Sequence, residues 1–212
     1  MRAMLSRAAP VAAPVAALVA APVAAMAVAA IMPLTAFAAP ANYTVDPLHT
    51  SVYFGASHFD RTTVRGRFGK IDGRIVYDPA TGAGSLDFTV GTDSVDTGNR
   101  TLDGVLRSDQ FLDAQNNPYA RFTANRFVTD GGKLVAVEGT FTLRGVTQPL
   151  RLDADRFSCG QTVLFGVRRD VCGGDFHATL KRSAFGLTRF LPEVGDEVTL
   201  QITVEASPGN PQ

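Results

Sequence analysis

Apolar and polar side chains alternate with a period of two along most of this chain from residue 43 onward. Successive side chains of a β-strand point to opposite faces, so this alternation predicts strands that are each apolar on one face. In the clearest case, "EVTLQITVEA" at residues 197–206, one face carries Val198, Leu200, Ile202 and Val204. Turn sequences separate comparable segments near residues 51–59, 64–69, 71–78, 85–92, 119–128, 133–144, 147–157, 162–169 and 175–182. The chain is therefore predicted to be all-β and antiparallel, with roughly eight or more short strands.

Strands of this kind can form a sandwich or a closed barrel. In a sandwich the apolar faces of two sheets meet, whereas a barrel of about eight strands holds its own side chains or one small ligand. The 14 phenylalanines and 4 tyrosines suit either interior. A transmembrane barrel would need an apolar outer face with aromatic girdles, and the absence of tryptophan and the polar C-terminal end disfavour it. A sandwich, a filled barrel and a hollow barrel remain open, because alternation is the same in all three.

The N-terminal segment differs from the rest of the chain. Arg2 and Arg7 give it a basic start, residues 8–39 carry no charged side chain, and an A-x-A cleavage sequence ends at Ala38. These features predict a secretory signal peptide at residues 1–38. An uncleaved anchor is the alternative, because the run is long enough to span a bilayer at about 20 residues. Its four prolines and its many alanines favour cleavage, and no stable membrane insertion is predicted afterwards.

The remaining chain is predicted to form one domain at residues 39–206 and a flexible tail at residues 207–212. Its length allows a sizeable core. Loss of Arg2 and Arg7 with the leader changes the net charge from zero to −2, and no block of basic residues follows. A nucleic-acid partner is therefore not predicted, because such partners are held largely by contacts to phosphates.

The only two cysteines are Cys159 and Cys172, and both lie in the part predicted to be exported. A disulfide is the expected state of such a pair in an oxidising compartment. Closing this loop constrains the unfolded chain by about 3 kcal/mol in the chain-entropy model. A redox-active pair is the alternative, but such pairs usually have C-x-x-C spacing at a helix N-terminus.

The sequence contains few residues arranged for catalysis. The three histidines, His49, His58 and His177, could in principle hold zinc or haem, but their spacing matches no recognised ligand pattern. No G-x-S-x-G sequence or phosphate-binding glycine loop is present. The chain is therefore predicted not to be an enzyme, with no catalytic residue and no metal ligand.

Several segments, taken together, resemble the YceI-like family of exported proteins. They are the opening "YTVDPLHTSVYFGASHF" at residues 43–59, the middle stretch at 100–122, "GTFTLRGVTQPLRL" at 139–152, "KRSAFGL" at 181–187 and the closing strand "VGDEVTLQITVE" at 194–205. The resemblance implies an eight-stranded antiparallel, lipocalin-like barrel in the bacterial periplasm. It also implies an elongated apolar pocket for a polyisoprenoid or similar long-chain lipid. A cysteine pair before the Lys-Arg-Ser-x-Phe-Gly motif occurs in a subset of the family.

The middle stretch also predicts a short helical segment that covers one end of the barrel. Leu102, Val105 and Leu106 have helical spacing, and Phe111 and Leu112 follow them, so together they would form an apolar underside. The family usually has a histidine before the leucine where this chain has Val105. The cover is therefore expected to be more apolar than in relatives.

The predicted function is a periplasmic binding or carrier protein for an isoprenoid-like or other long-chain amphiphilic lipid. No cofactor is predicted other than such a lipid or a quinone-type lipid, and a homodimer is allowed. The alternatives are a quinone-linked redox or metal-binding accessory protein, and a barrel that binds a non-lipid partner in an envelope stress response. Arg100 is a further polar residue expected near the mouth. The predicted ligand-binding residues are Val52, Phe54, Ala56, His58, Phe68, Ile75, Leu86, Phe88, Val90, Leu102, Leu106, Phe111, Phe122, Phe141, Phe176 and Arg182.

Overall fold

A computed structural model of the chain describes residues 41–78 and 80–209. The predicted signal peptide at residues 1–38 lies outside the described residues. The strand segments are β1 Ala41–Val45, β2 Ser51–His58, β3 Thr62–Phe68, β4 Ile71–Tyr77, β5 Gly84–Gly91, β6 Val95–Asp96, β7 Tyr119–Asp130, β8 Lys133–Leu143, β9 Val146–Leu164, β10 Val167–Lys181 and β11 Val194–Pro208. Helix α1 spans Arg100–Arg107, and 3₁₀ turns lie at Thr92–Ser94 and Arg182–Phe185.

These segments close into an eight-stranded antiparallel barrel, which confirms the predicted fold class. Three of the eight strands are interrupted: β1 continues into β2, β3 into β4, and β5 into β6. β2 pairs with β3 while β1 pairs with β4, and the β4–β5 ladder continues into the β3–β6 ladder. β7 to β11 follow as neighbours in chain order, and β11 pairs with both β2 and β1, so no sheet edge remains between the first and last strands.

β11 reaches further than the sequence predicted. It extends to Pro208, where Ser207 pairs with Thr44 and Pro208 with Tyr43. The barrel closes through these pairs, so the strand includes the first two residues of the segment predicted as a flexible tail. Residues 210–212 of that segment lie outside the described residues.

The alternation places the apolar face of each strand inside the barrel. On β2, Val52 and Phe54 face the interior, while Tyr53 is 45% exposed on the outer face. The outer face carries polar cross-strand pairs, such as Arg121 with Asp87, which a solvated face favours.

The β9–β10 hairpin corrects one prediction. Residues 162–169 are not a strand of their own: they are the end of this long hairpin, and the chain turns at Phe165 and Gly166, with φ of 50° and 79°. The tight reversal needs left-handed backbone at both turn positions, and glycine adopts it readily. Further down the hairpin, Cys159 and Cys172 are directly paired and form the predicted disulfide.

Helix α1 confirms the helix predicted in the middle stretch. The Asn99 side chain caps it by accepting hydrogen bonds from the backbone N–H groups of Thr101 and Leu102, at 3.0 and 3.2 Å. The helix ends at Ser108, whose backbone N–H donates to the Val105 carbonyl. In the described part of the chain, no helix has the length and apolar character needed to cross a bilayer.

Candidate functional site

An apolar cavity of about 500 Å³ occupies the barrel interior, between the disulfide and the underside of α1. Volumes of this size are typical of pockets for small organic ligands. Every residue that the sequence predicted to bind ligand lies in its lining, although contact with a ligand stays a prediction. The polar side chains of the lining are few, and they are Tyr43, His58, Tyr77, Thr92 and Arg182.

The barrel is hollow along its middle. Leu86, Phe88, Leu200, Ile202 and Val204 face the interior, yet each keeps an intermediate exposure. In a filled barrel such side chains would be buried against one another at the density of a protein core. Their remaining accessible surface faces the cavity, so the structure resolves the choice that alternation left open.

One end of the cavity is closed by aromatic rings beside the disulfide. The Tyr77 ring lies 5.7 Å from the ring centre of Phe127 and 5.3 Å from that of Phe157. Tyr43 and Cys172 pack with Tyr77 in the same buried cluster. Burial raises the pKa of the Tyr77 phenol, so it is neutral at physiological pH and adds no charge to this end.

The other end is covered by residues 100–118, here called the cover segment. Its Leu102, Leu106, Phe111 and Leu112 line the cavity, and the last three pack with a buried cluster that includes Phe185. This arrangement explains why one apolar helix interrupts a chain of strands: it buries the open end of the barrel.

Hydrogen bonds attach the cover segment to the barrel. The Arg107 guanidinium donates to the carbonyls of Asp93 and Val95 at 2.8 and 2.9 Å. Arg144 donates to the Phe111 carbonyl at 2.8 Å. The middle of the cover segment is therefore held to the barrel by two arginine side chains that reach backbone acceptors.

An opening lies beside the cover segment. Val105 and Phe190 line the cavity although they are 39% and 46% exposed, and His58 reaches the same end from β2. Val105 therefore contributes an apolar side chain to the rim.

Arg182 is buried, and its side chain binds the backbone of neighbouring segments. Its guanidinium donates to the carbonyls of Gly195, Leu187 and Val194, at 2.9, 2.5 and 2.7 Å. Burial lowers the pKa of the Arg182 guanidinium, and the charge of Asp196 opposes this effect. These bonds connect Leu187 with the first two residues of β11, and sequence reasoning missed them because the partners are backbone atoms.

Arg100, which the sequence analysis expected near the mouth, is not among the residues that line the cavity. It is exposed on α1, whereas Leu102 lines the cavity. Residues two positions apart in a helix point about 200° away from each other, so these two side chains cannot share the apolar underside.

The three histidines lie in separate parts of the barrel. His49 is bonded to Asp46 at 2.8 Å beyond the end of β1, and His177 is bonded to Asp155 at 2.8 Å across β9 and β10. The hydrogen bond between His49 and Asp46 raises the pKa of His49 and lowers that of Asp46. His58 is at the rim of the cavity, so the three imidazoles do not form one metal or haem site.

Asp103 connects α1 to the strand before it and gives a pH-dependent prediction. Its carboxylate accepts hydrogen bonds from the Thr97 backbone N–H and hydroxyl, both at 2.7 Å, and these bonds lower the pKa of Asp103. A lowered folded-state pKa adds stability above the ordinary carboxyl pKa, and the addition is lost as pH falls through the lowered value. Asp103→Asn should therefore unfold at a lower temperature than wild type at pH 7, with a smaller difference near pH 3. Thermal unfolding between these pH values measures this.

Asp109→Asn is the matched control for Asp103→Asn, because Asp109 is an exposed carboxylate on the same segment. It should leave the unfolding temperature nearly unchanged at both pH values. A difference between Asp103→Asn and wild type that is constant from pH 7 to pH 3 would contradict the assignment.

Comparison with known proteins places the whole barrel in one family. The YceI-like domain family model matches residues 43–206. A UPF0312 protein of Vibrio cholerae is 34% identical over 148 residues, which cover 68% of this chain and 78% of that protein. The structure of the Campylobacter jejuni YceI protein matches with a TM-score of 0.60 and 27% identity, covering 73% of this chain and 90% of that one.

A more distant structure has the same fold. It is a polyisoprenoid binding domain from Saccharophagus degradans, with a TM-score of 0.56 and 18% identity. The match covers 79% of this chain and 98% of that domain.

Proposed function

This chain belongs to the YceI-like family, and we propose that it is a periplasmic carrier that binds an isoprenoid-like or other long-chain amphiphilic lipid in the barrel cavity. The hollow apolar interior is the observation that carries this proposal. An apolar chain inside it would gain about 25 cal/mol for each Å² removed from water. The polyisoprenoid binding described for the Saccharophagus degradans domain, which has the same fold, supports this ligand class.

The two ends of the cavity determine how such a lipid lies. Tyr77 and the disulfide close one end, and the opening between Val105 and Phe190 is at the other. A tail therefore enters beside the cover segment and extends towards Tyr77, while a polar headgroup stays at the rim, where water and the His58 imidazole are near. A headgroup in the interior would lose its hydration without gaining enough polar partners.

We propose binding without catalysis. Of the polar lining groups, Thr92 donates its hydroxyl to the Asn117 carbonyl at 2.6 Å, and Arg182 donates to three backbone carbonyls. His58 remains as a group at the rim that can meet a headgroup.

The test is to identify lipid that co-purifies with the protein. Native mass spectrometry of the purified protein should reveal a bound species with a long apolar chain, and an ultraviolet spectrum of the extracted lipid would identify a quinone-type headgroup. Leu106→Asp should lower lipid occupancy roughly tenfold or more, because its carboxylate would lose hydration against the bound chain. Gly104→Asp adds the same group on the exposed side of α1 and should leave occupancy unchanged.

One result would count against this function, and another would change the role assigned to the cover segment. Wild-type protein that carries no lipid, and takes up no added isoprenoid, would show that the cavity is not a lipid site. A Leu106→Asp protein that unfolds outright would show that the cover segment is part of the structural core.

A further inference from the structure

The β9–β10 hairpin extends beyond the barrel as a free ribbon. β9 pairs with β8 only as far as Asp153, and β10 pairs with β11 only as far as Cys172. Residues 160–171 pair with each other and with no other described strand. At about 3.3 Å per residue, the ribbon reaches roughly 17 Å past the disulfide.

The tip of this ribbon is apolar and exposed. Val163 is 65% exposed, Phe165 97% and Val167 55%. Phe165 occupies a turn position with φ of 50°, where hairpins usually have asparagine, aspartate or glycine. Neither the backbone conformation of the turn nor burial of the ring explains an aromatic side chain at this position.

Two arginines follow Val167 along β10, next to the apolar tip. Arg168 is paired with Val163 on one face of the ribbon, and Arg169 is paired with Thr162 on the other face. Both guanidinium groups are exposed, and neither forms an ion pair with a described residue. Asp170 is the other charged residue of the ribbon, so residues 160–171 carry a net charge of +1 in a chain whose net charge is zero.

We propose that this tip docks the protein peripherally on an anionic lipid surface. Phe165, Val163 and Val167 would enter the boundary between headgroups and acyl chains, to a depth of about 5–10 Å. The long side chain of Arg168, which is level with Val163, would extend back to the phosphates, and Arg169 would lie beside them. Each basic residue there strengthens binding to an anionic leaflet.

The distribution of the residues favours a lipid surface over a protein groove. Each face of the ribbon carries one valine and one arginine: Arg168 lies directly opposite Val163 on one face, and Arg169 lies further from the tip than Val167 on the other. A protein groove would recognise one face or one edge, whereas a fluid lipid surface accepts the tip from every side. Arg168 and Arg169 form a basic collar around the apolar tip. This order matches a lipid surface, in which charged headgroups overlie the acyl chains.

The disulfide fixes the position of this ribbon. Cys159 and Cys172 join the two strands where the ribbon leaves the barrel, next to the closed end of the cavity. Docking there leaves the opening beside α1 unobstructed. This proposal depends on the hairpin alone and stands whether or not the barrel contains lipid.

The direct test uses Phe165→Trp. The chain contains no tryptophan, so this substitution places the sole indole at the tip. Its emission should shift to the blue on addition of vesicles of phosphatidylglycerol and phosphatidylcholine, and acyl-chain-brominated lipid should quench it. Gln201→Trp, on the exposed outer face of β11, should show neither change. Both proteins keep the same N-terminal segment, so any contribution from it is common to the two.

Charge variants test the basic collar. In the Phe165→Trp protein, Arg168→Gln together with Arg169→Gln should weaken binding to the mixed vesicles about 30-fold, at about fivefold for each charge. Arg61→Gln with Arg65→Gln removes the same charge from exposed positions away from the ribbon and should have a small effect. Unchanged Phe165→Trp emission with every vesicle, or equal binding to phosphatidylcholine alone, would overturn the proposal.

Discussion

Ile202→Trp is expected to lower lipid binding about 5- to 150-fold while the barrel remains folded. Ile202 lies in the middle of β11, paired with Val52 and Phe176, and its side chain lines the cavity. An indole there occupies space that the lipid tail would use, so a bound tail would overpack the site at a cost of about 1–3 kcal/mol. Native mass spectrometry of bound lipid measures the loss.

The same variant also tests whether the barrel is hollow. In a filled barrel, a tryptophan at Ile202 would overpack the core and lower the unfolding temperature markedly. In the hollow barrel the cavity accepts the ring, so the unfolding temperature of the lipid-free protein should change little. Gln201→Trp, one residue away on the outer face, is the matched control and should keep both lipid and stability. Full lipid retention by Ile202→Trp would place the ligand elsewhere.

Arg182→Met is expected to destabilise the protein by about 3–5 kcal/mol. Three backbone carbonyls, on Leu187, Val194 and Gly195, would lose their guanidinium donors in a buried setting. Each buried polar group left without a partner costs about 1–3 kcal/mol. Chemical denaturation measures the change in the free energy of unfolding.

Two variants calibrate the result for Arg182→Met. Arg182→Lys keeps a cation but cannot reach three separate carbonyls, so it should lie between wild type and Arg182→Met. Lys181→Met removes a neighbouring charge that is exposed, and it should change the free energy of unfolding by about 0.5 kcal/mol or less. A loss of less than about 1 kcal/mol in Arg182→Met would mean that water replaces the guanidinium.

The direction of each side chain could be predicted from the sequence, because it depends on local geometry. In a strand, covalent geometry turns successive side chains to opposite faces, so alternation identified Phe54, Phe88 and Ile75 as inward residues. Helical spacing identified Leu102 and Leu106 as one face of α1 for the same reason. The motifs predicted the barrel and its cover segment, and the two cysteines, expected to be exported, predicted the disulfide.

Whether the barrel interior is filled or hollow depends on contacts between distant parts of the chain. Whether inward side chains meet or leave a cavity depends on the barrel radius, which is a property of all eight strands together. The bonds of Arg182 to backbone carbonyls have no signature in residue type. The sequence by itself determined which face of each strand is apolar. Only the tertiary structure decided that these faces enclose a space, and that the end of one hairpin stands outside it.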